Sequence, residues 1–128
     1  MKTLLTIFTL VFTLIFSSAS FAEWTKVTIN EDGNAFYVDL ERIRKHDGYV
    51  YYWVLNDYLK PTKYGSLSSV SYFQGDCKLF RHKRLSGSYY EVPMGKGRPE
   101  SVDTSKYDWD YPNPGSVGEY HLNSVCNH

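Results

Sequence analysis

The stretch PGSVGEYHLNSVC, Pro114 to Cys126, reads as one short helix that ends in a cysteine. Pro114 and Gly115 do not readily continue a preceding element. Ser116 is placed to act as N-cap, its hydroxyl accepting from an orphan backbone N–H, and Glu119 three residues on completes an S-x-x-E capping box. At 100° per residue, Gly118, Leu122 and Val125 share one face, with His121 and Cys126 flanking it, while Glu119 and Asn123 point away. A helix of about ten residues is marginal alone in water, so it needs packing and a tie. Gly118 costs the helix about 1 kcal/mol against alanine. A close approach to a sheet explains that cost, because glycine has no side chain to hold the two apart.

The tie is Cys126. The only other cysteine is Cys77. Met1–Ala22 reads as an export signal: Lys2 is a positive start, Leu4 to Phe16 an apolar run, and Ser20-Phe21-Ala22 a small-x-small cleavage site. The apolar run is shorter than the roughly 20 residues of a membrane span. No cysteine sits near the cleavage point, so a lipid anchor is not expected and the mature chain, Glu23 to His128, is expected to be one soluble domain. Two cysteines in an exported chain are most simply one disulfide. Closing a loop of about 50 residues stabilises by about 4 kcal/mol in the chain-entropy model.

Between Trp24 and Tyr90 the chain reads as strands. Trp24 to Asn30 alternates, and Glu31-Asp32-Gly33-Asn34 turns it into Ala35 to Leu40. Glu41 to His46 reads as one helical turn or a loop, followed by a turn at Asp47-Gly48. Tyr49 to Leu59 is the strongest strand: Tyr49, Tyr51, Trp53 and Leu55 share one face, and Val50, Tyr52 and Val54 the other. Apolar residues on both faces predict that both are covered, one by the helix and the other by a long loop or a second copy of the protein. Leu67 to Cys77 follows, with Ser69, Ser71 and Gly75 small enough to lie under a helix. Lys78 to Tyr90 reads as one or two strands broken near Ser86-Gly87-Ser88, and Pro93 to Gly115 as a long connection. The expected fold is α+β: a single antiparallel sheet of about five to six strands, with a C-terminal helix disulfide-linked across one face.

These residues also carry a resemblance. Trp24, the YVD of Tyr37 to Asp39 and the Arg42-Ile43-Arg44-Lys45 turn come first. YYWVLNDYLKP from Tyr51 to Pro61, Asp76-Cys77, PMGKG from Pro93 to Gly97, PGSVGE from Pro114 to Glu119 and Cys126 follow in order. Together they resemble the surface-adhesin E family of bacterial envelope proteins. The resemblance implies an antiparallel sheet with the C-terminal helix held to its concave side by the disulfide. It also implies a surface or periplasmic location and binding of host extracellular proteins.

The chemistry-bearing residues exclude more than they propose. Removing Lys2 from 14 basic residues leaves the mature chain one negative charge in excess, so nucleic acid is not a bulk partner. His46, His82, His121 and His128 lack second ligands at metal-binding spacing, and Asp108 with Asp110 falls short of a calcium site. No cofactor is implied. Gly115-Ser116-Val117-Gly118 is not a nucleophile elbow, Gly95-Lys96-Gly97 is not a phosphate loop, and no nucleophile–base set stands out, so the chain is not read as an enzyme. Two features remain for binding. One is the basic run Lys78, Arg81, His82, Lys83 and Arg84, which in a strand divides between two faces and whose plainest role is to blunt an edge. The other is tyrosine, all 12 of which lie in the mature chain. The sequence therefore points to an exported binding module, with a periplasmic housekeeping domain as the alternative and homodimerisation as an expectation.

Overall fold

A computed structural model describes residues 22–128. The export segment expected before Ala22 lies outside the described residues. Seven strands form one antiparallel sheet: β1 (Thr25–Ile29), β2 (Ala35–Val38), β3 (Arg44–His46), β4 (Tyr49–Asp57), β5 (Ser68–Asp76), β6 (Arg81–Tyr90) and β7 (Glu100–Ser101). The order is β1-β2-β4-β5-β6-β7, with β3 also paired to β4. Helix α1 (Val117–Cys126) lies across one face, and Cys77 is disulfide-bonded to Cys126. Among these residues no helix is long and apolar enough to cross a membrane.

The helix begins as its sequence dictates. Ser116 Oγ accepts from the Glu119 N–H at 3.2 Å. The return bond runs one residue further back, with the Gly115 N–H donating to Glu119 Oε1 at 3.1 Å. His121, Leu122 and Val125 are buried, and the last two meet Val38, Val50, Tyr52 and Val54 to form the core. Two glycines permit that approach. A Cβ on Gly75 of β5 would stand 2.9 Å from Leu122 and Val50 side-chain carbons, and one on Gly118 would stand 3.0 Å from the His82 ring. Both contacts are tighter than packed atoms tolerate, so the helix sits where it does because these two positions lack side chains.

Several expectations are corrected. The segment after Asp39 is neither loop nor helix alone. A 3-10 turn at Leu40–Arg42 is capped by Asp39, which accepts from the Glu41 N–H at 3.1 Å and from Arg42 Nε at 2.6 Å. Strand β3 then zips onto β4 through Asp47-Gly48, both left-handed at φ 51° and 82°, the geometry of a primed hairpin turn that joins strands. β1 is more exposed than half-buried, and a bulge between Lys26 and Thr28 interrupts its alternation. β6 is one continuous strand. Its irregularity falls opposite Tyr72/Phe73, at Leu85, and not at Ser86-Gly87-Ser88. Of the small residues on β5, only Gly75 is seated under Leu122. Ser69 bonds Asn56 Nδ2 and the Tyr58 hydroxyl, and Ser71 packs beneath Gly87.

The second face of β4 is covered in part, with the Arg42 guanidinium 5.6 Å from the Trp53 ring centre and two further segments nearer its ends. A 3-10 turn at Pro93–Gly95 is pinned over Leu55 and Val70 by Met94 N–H to Asp57 Oδ1 (2.8 Å) and Gly95 N–H to Ser68 Oγ (2.9 Å). Trp109 rests on Tyr49 with ring centres 5.5 Å apart. Between them Tyr51, Trp53 and Tyr72 stack on one another and stay half-exposed.

One buried group links this core to pH. His121 is 5% exposed, its ring meets Phe36 edge-on, and its Nε2 has no partner among the described residues. Burial pushes its pKa down to about 4, against a smaller upward pull from its bond to the Tyr37 backbone. The unfolded chain takes up that proton near pH 6.5. Between the two values the unfolded state carries more protons, so stability is full above about pH 6.5 and falls as pH drops. Each pH unit in that window is worth about 1.4 kcal/mol, and the whole loss is about 3 kcal/mol. Burial lowers His82 in the same direction. Urea unfolding should show this decline between pH 6.5 and 4.5, and His121→Gln, which cannot ionise, should flatten it. An unchanged slope in the variant would assign the decline to other groups.

Candidate functional site

The basic run lies on β6 and the turn before it. Asp76, buried at the end of β5, organises that turn: one carboxylate oxygen accepts from the Lys78 and Leu79 N–H groups, each at 3.1 Å, and the other pairs with Arg81 Nε at 3.0 Å. The Leu79 N–H and then the Arg81 guanidinium hold the Asp76 carboxyl below the usual carboxylate range. Asp76 stands five residues before Arg81. The turn places the two face to face.

Strand alternation then divides the run. Arg81 and Lys83 pair with Asp76 and Gln74, while His82 and Arg84 pair with Gly75 and Phe73 on the helix side. There Tyr52, Phe73 and His82 stack in series, with ring centres 5.7 Å and 4.9 Å apart, so a ladder of rings leads from the core to Gly118 of the helix. Lys78 stays exposed in the turn.

The connection from Val102 to Asp110 runs along the free edge of β6 as a strap. Val102 N–H bonds the Gly87 carbonyl at 2.9 Å, Thr104 Oγ1 bonds the Leu85 carbonyl at 3.2 Å, and Asp110 exchanges two backbone bonds with His82 at 2.9 and 2.8 Å. Side chains of the strap reach both sides of β6. Trp109 lies under the Arg81 guanidinium at 4.2 Å, Tyr107 under Arg84 at 5.0 Å, and the Asp110 carboxylate is 3.5 Å from His82 Nε2. Asp108 turns back to its own neighbour, accepting from the Trp109 N–H at 2.7 Å. Burial lowers the His82 pKa, and Asp110 opposes that pull. A cavity of about 480 Å³ remains between strap and strand, lined by Phe73, His82, Arg84 and Tyr107.

Arg81, His82 and Arg84 are therefore engaged within the fold, and Lys78 and Lys83 make no ion pair among the described residues. Nor do three His, Cys, Asp or Glu side chains converge there on a common point.

A family model described as surface-adhesin protein E matches residues 24–127, the whole of the sheet and of the helix. The chain belongs to the surface-adhesin protein E family. Solved structures of Haemophilus influenzae protein E share its fold. Crystal form II superposes with a TM-score of 0.65 at 14% identity, covering 85% of this chain and 91% of that one. A selenomethionine form gives 0.62 at 15% identity, covering 86% and 93%. Protein E from a non-typeable strain gives 0.59 at 15% identity, covering 87% and 79%. No curated protein matches the chain in sequence. Membership in the adhesin E family supports a surface adhesin module that is exported to the cell surface, and the expected single sheet, terminal helix and Cys77–Cys126 bond are those observed.

The strap should depend on the Arg81–Trp109 contact, since such cation–π pairs contribute about 0.5–2 kcal/mol. In Trp109→Ala, hydrogen exchange at the His82 and Asp110 amides should accelerate several-fold, while the Tyr52 and Leu55 amides stay protected. Equal protection at all four would show that the backbone bonds alone hold the strap.

Proposed function

We propose that this adhesin E-family chain is exported by cleavage after Ala22 and acts as a non-enzymatic binding module for host extracellular proteins, with β6 as its contact edge. The observation that carries this reading is the family match over residues 24–127. Within the basic run, Lys78 and Lys83 are the residues best placed to reach a partner, because Arg81 and Arg84 already serve the strap. An acidic protein surface is the complementary partner. Exposed charges act over about 8 Å at physiological salt, so binding should weaken as salt rises.

The test is binding of the mature protein to immobilised extracellular-matrix proteins over a salt series. Lys78→Gln with Lys83→Gln should lower affinity several-fold and flatten the salt dependence without altering thermal stability. Unchanged affinity and slope would reduce the run to a charge-blunted edge strand. Protease treatment of intact cells separates the alternative: a chain cleaved only after the outer membrane is opened is a periplasmic domain without a host ligand.

Two copies pair through the half-exposed Tyr51, Trp53 and Tyr72 on the face away from the helix. The support is that neither the Pro93–Gly95 turn nor Trp109 reaches the middle of that face. A two-fold interface sets the same patch against itself. Light scattering at high micromolar concentration should give the dimer mass, and Tyr72→Arg, which sets like charges against each other, should give the monomer. A monomeric parent protein would overturn this pairing.

A further inference from the structure

The opposite end of β6 carries a second surface. Tyr64 is 82% exposed at the tip of the loop between β4 and β5, an unusual place for an aromatic ring. Two clefts, of about 500 and 680 Å³, open on either side of it and share Tyr64, Ser66, Tyr89 and Glu100 as walls. Both volumes fall within the range of small-molecule sites, roughly 300–1,000 Å³. β6 is ten residues long, so these clefts lie about 30 Å from the Arg81 end and are independent of the basic run.

The linings are alike in chemistry. Tyrosine rings supply flat apolar area, and hydroxyls stand at their edges. Tyr58 is fixed by its bond to Ser69 Oγ at 3.0 Å, which orients its ring. The Tyr64 and Tyr89 hydroxyls bond no side chain or backbone group among the described residues and are free to donate and accept. The charges cancel: Lys63 and Arg98 are matched by Glu91 and Glu100. Lys63 lies over the Tyr64 ring at 5.0 Å and holds that side chain from one face.

We infer that the paired clefts around Tyr64 bind a neutral oligosaccharide. A pyranose ring offers a face of C–H groups, which packs on the electron-rich face of an aromatic ring, and a rim of hydroxyls, which pairs with phenols, serines and carboxylates. An anionic polymer finds no net charge here, and an apolar ligand would strand the hydroxyls and Glu100 without partners. Two clefts sharing one aromatic wall fit two successive sugar units, with Tyr64 between them.

The experiment is a two-dimensional NMR titration of the mature protein with two neutral tetrasaccharides, cellotetraose and tetra-N-acetylchitotetraose, and with a heparin tetrasaccharide as the charged comparison. At least one neutral sugar should shift resonances of residues 62–66, 89–92 and 100–102 together, with affinity unchanged between low and high salt. The two arms tell a plain hexose chain from an N-acetylated one. Tyr64→Ala, at a site too exposed to disturb folding, should lower affinity about tenfold. Tyr64→Phe keeps the ring and should stay within about threefold of the parent. The Lys78→Gln, Lys83→Gln protein should bind the sugar as the parent does, which keeps this site separate from the protein-binding edge. No shifts at millimolar sugar, shifts elsewhere on the protein, or preference for the heparin fragment with steep salt dependence would each overturn the inference.

Discussion

The seating of Leu122 on Gly75 is the contact on which the rest of the structure depends. It joins the last element of the chain to the middle of the sheet, and Val38, Val50, Tyr52, Val54 and Val125 gather around it. A ten-residue helix cannot hold that position by itself. The Cys77–Cys126 bond closes a loop of 49 residues and removes much of the entropy that would otherwise keep the helix away. Packing and covalent tie therefore act on the same few atoms. The missing side chains at Gly75 and Gly118 are what allow both.

From that seat a line of rings runs outward. Tyr52 packs in the core, Phe73 stacks on it and His82 stacks on Phe73. The ladder fixes β6, and β6 in turn holds the strap. This is why most of the basic run serves the fold before it serves a partner. Arginines laid over Trp109 and Tyr107 remain charged while their planar groups pack on rings, a use for which lysine is less suited. The lysines are left at the rim, where their charge is available to a surface approaching from solvent.

The two ends of β6 thus present different chemistry from one strand. Its first residues carry net positive charge and are backed by the disulfide-bonded turn. Its last residues, Tyr89 and Tyr90, enter a tyrosine-lined region where acidic and basic side chains are mixed.

The sequence by itself determined the local elements. The capping residues Ser116 and Glu119, the helix face of Leu122 and Val125 and the strand starting at Tyr49 are nearest-neighbour or periodic signals and were legible, although that strand ends at Asp57 and not at Leu59; the pairing of two lone cysteines was legible by count. The hairpin through Asp47-Gly48 was legible as a turn, but β3 was not, because its three polar residues have no apolar period and gain their strand geometry only by bonding to β4. Tertiary structure alone decided the rest. Trp109 and Arg81 are 28 residues apart, and nothing in either segment names the other. Their meeting depends on how far the chain travels after β7 before Asp110 finds His82. The clefts at Tyr64 likewise join residues from three loops and strands. Contacts between distant segments follow from the register of the whole sheet, and that register is a global property that no single stretch of sequence contains.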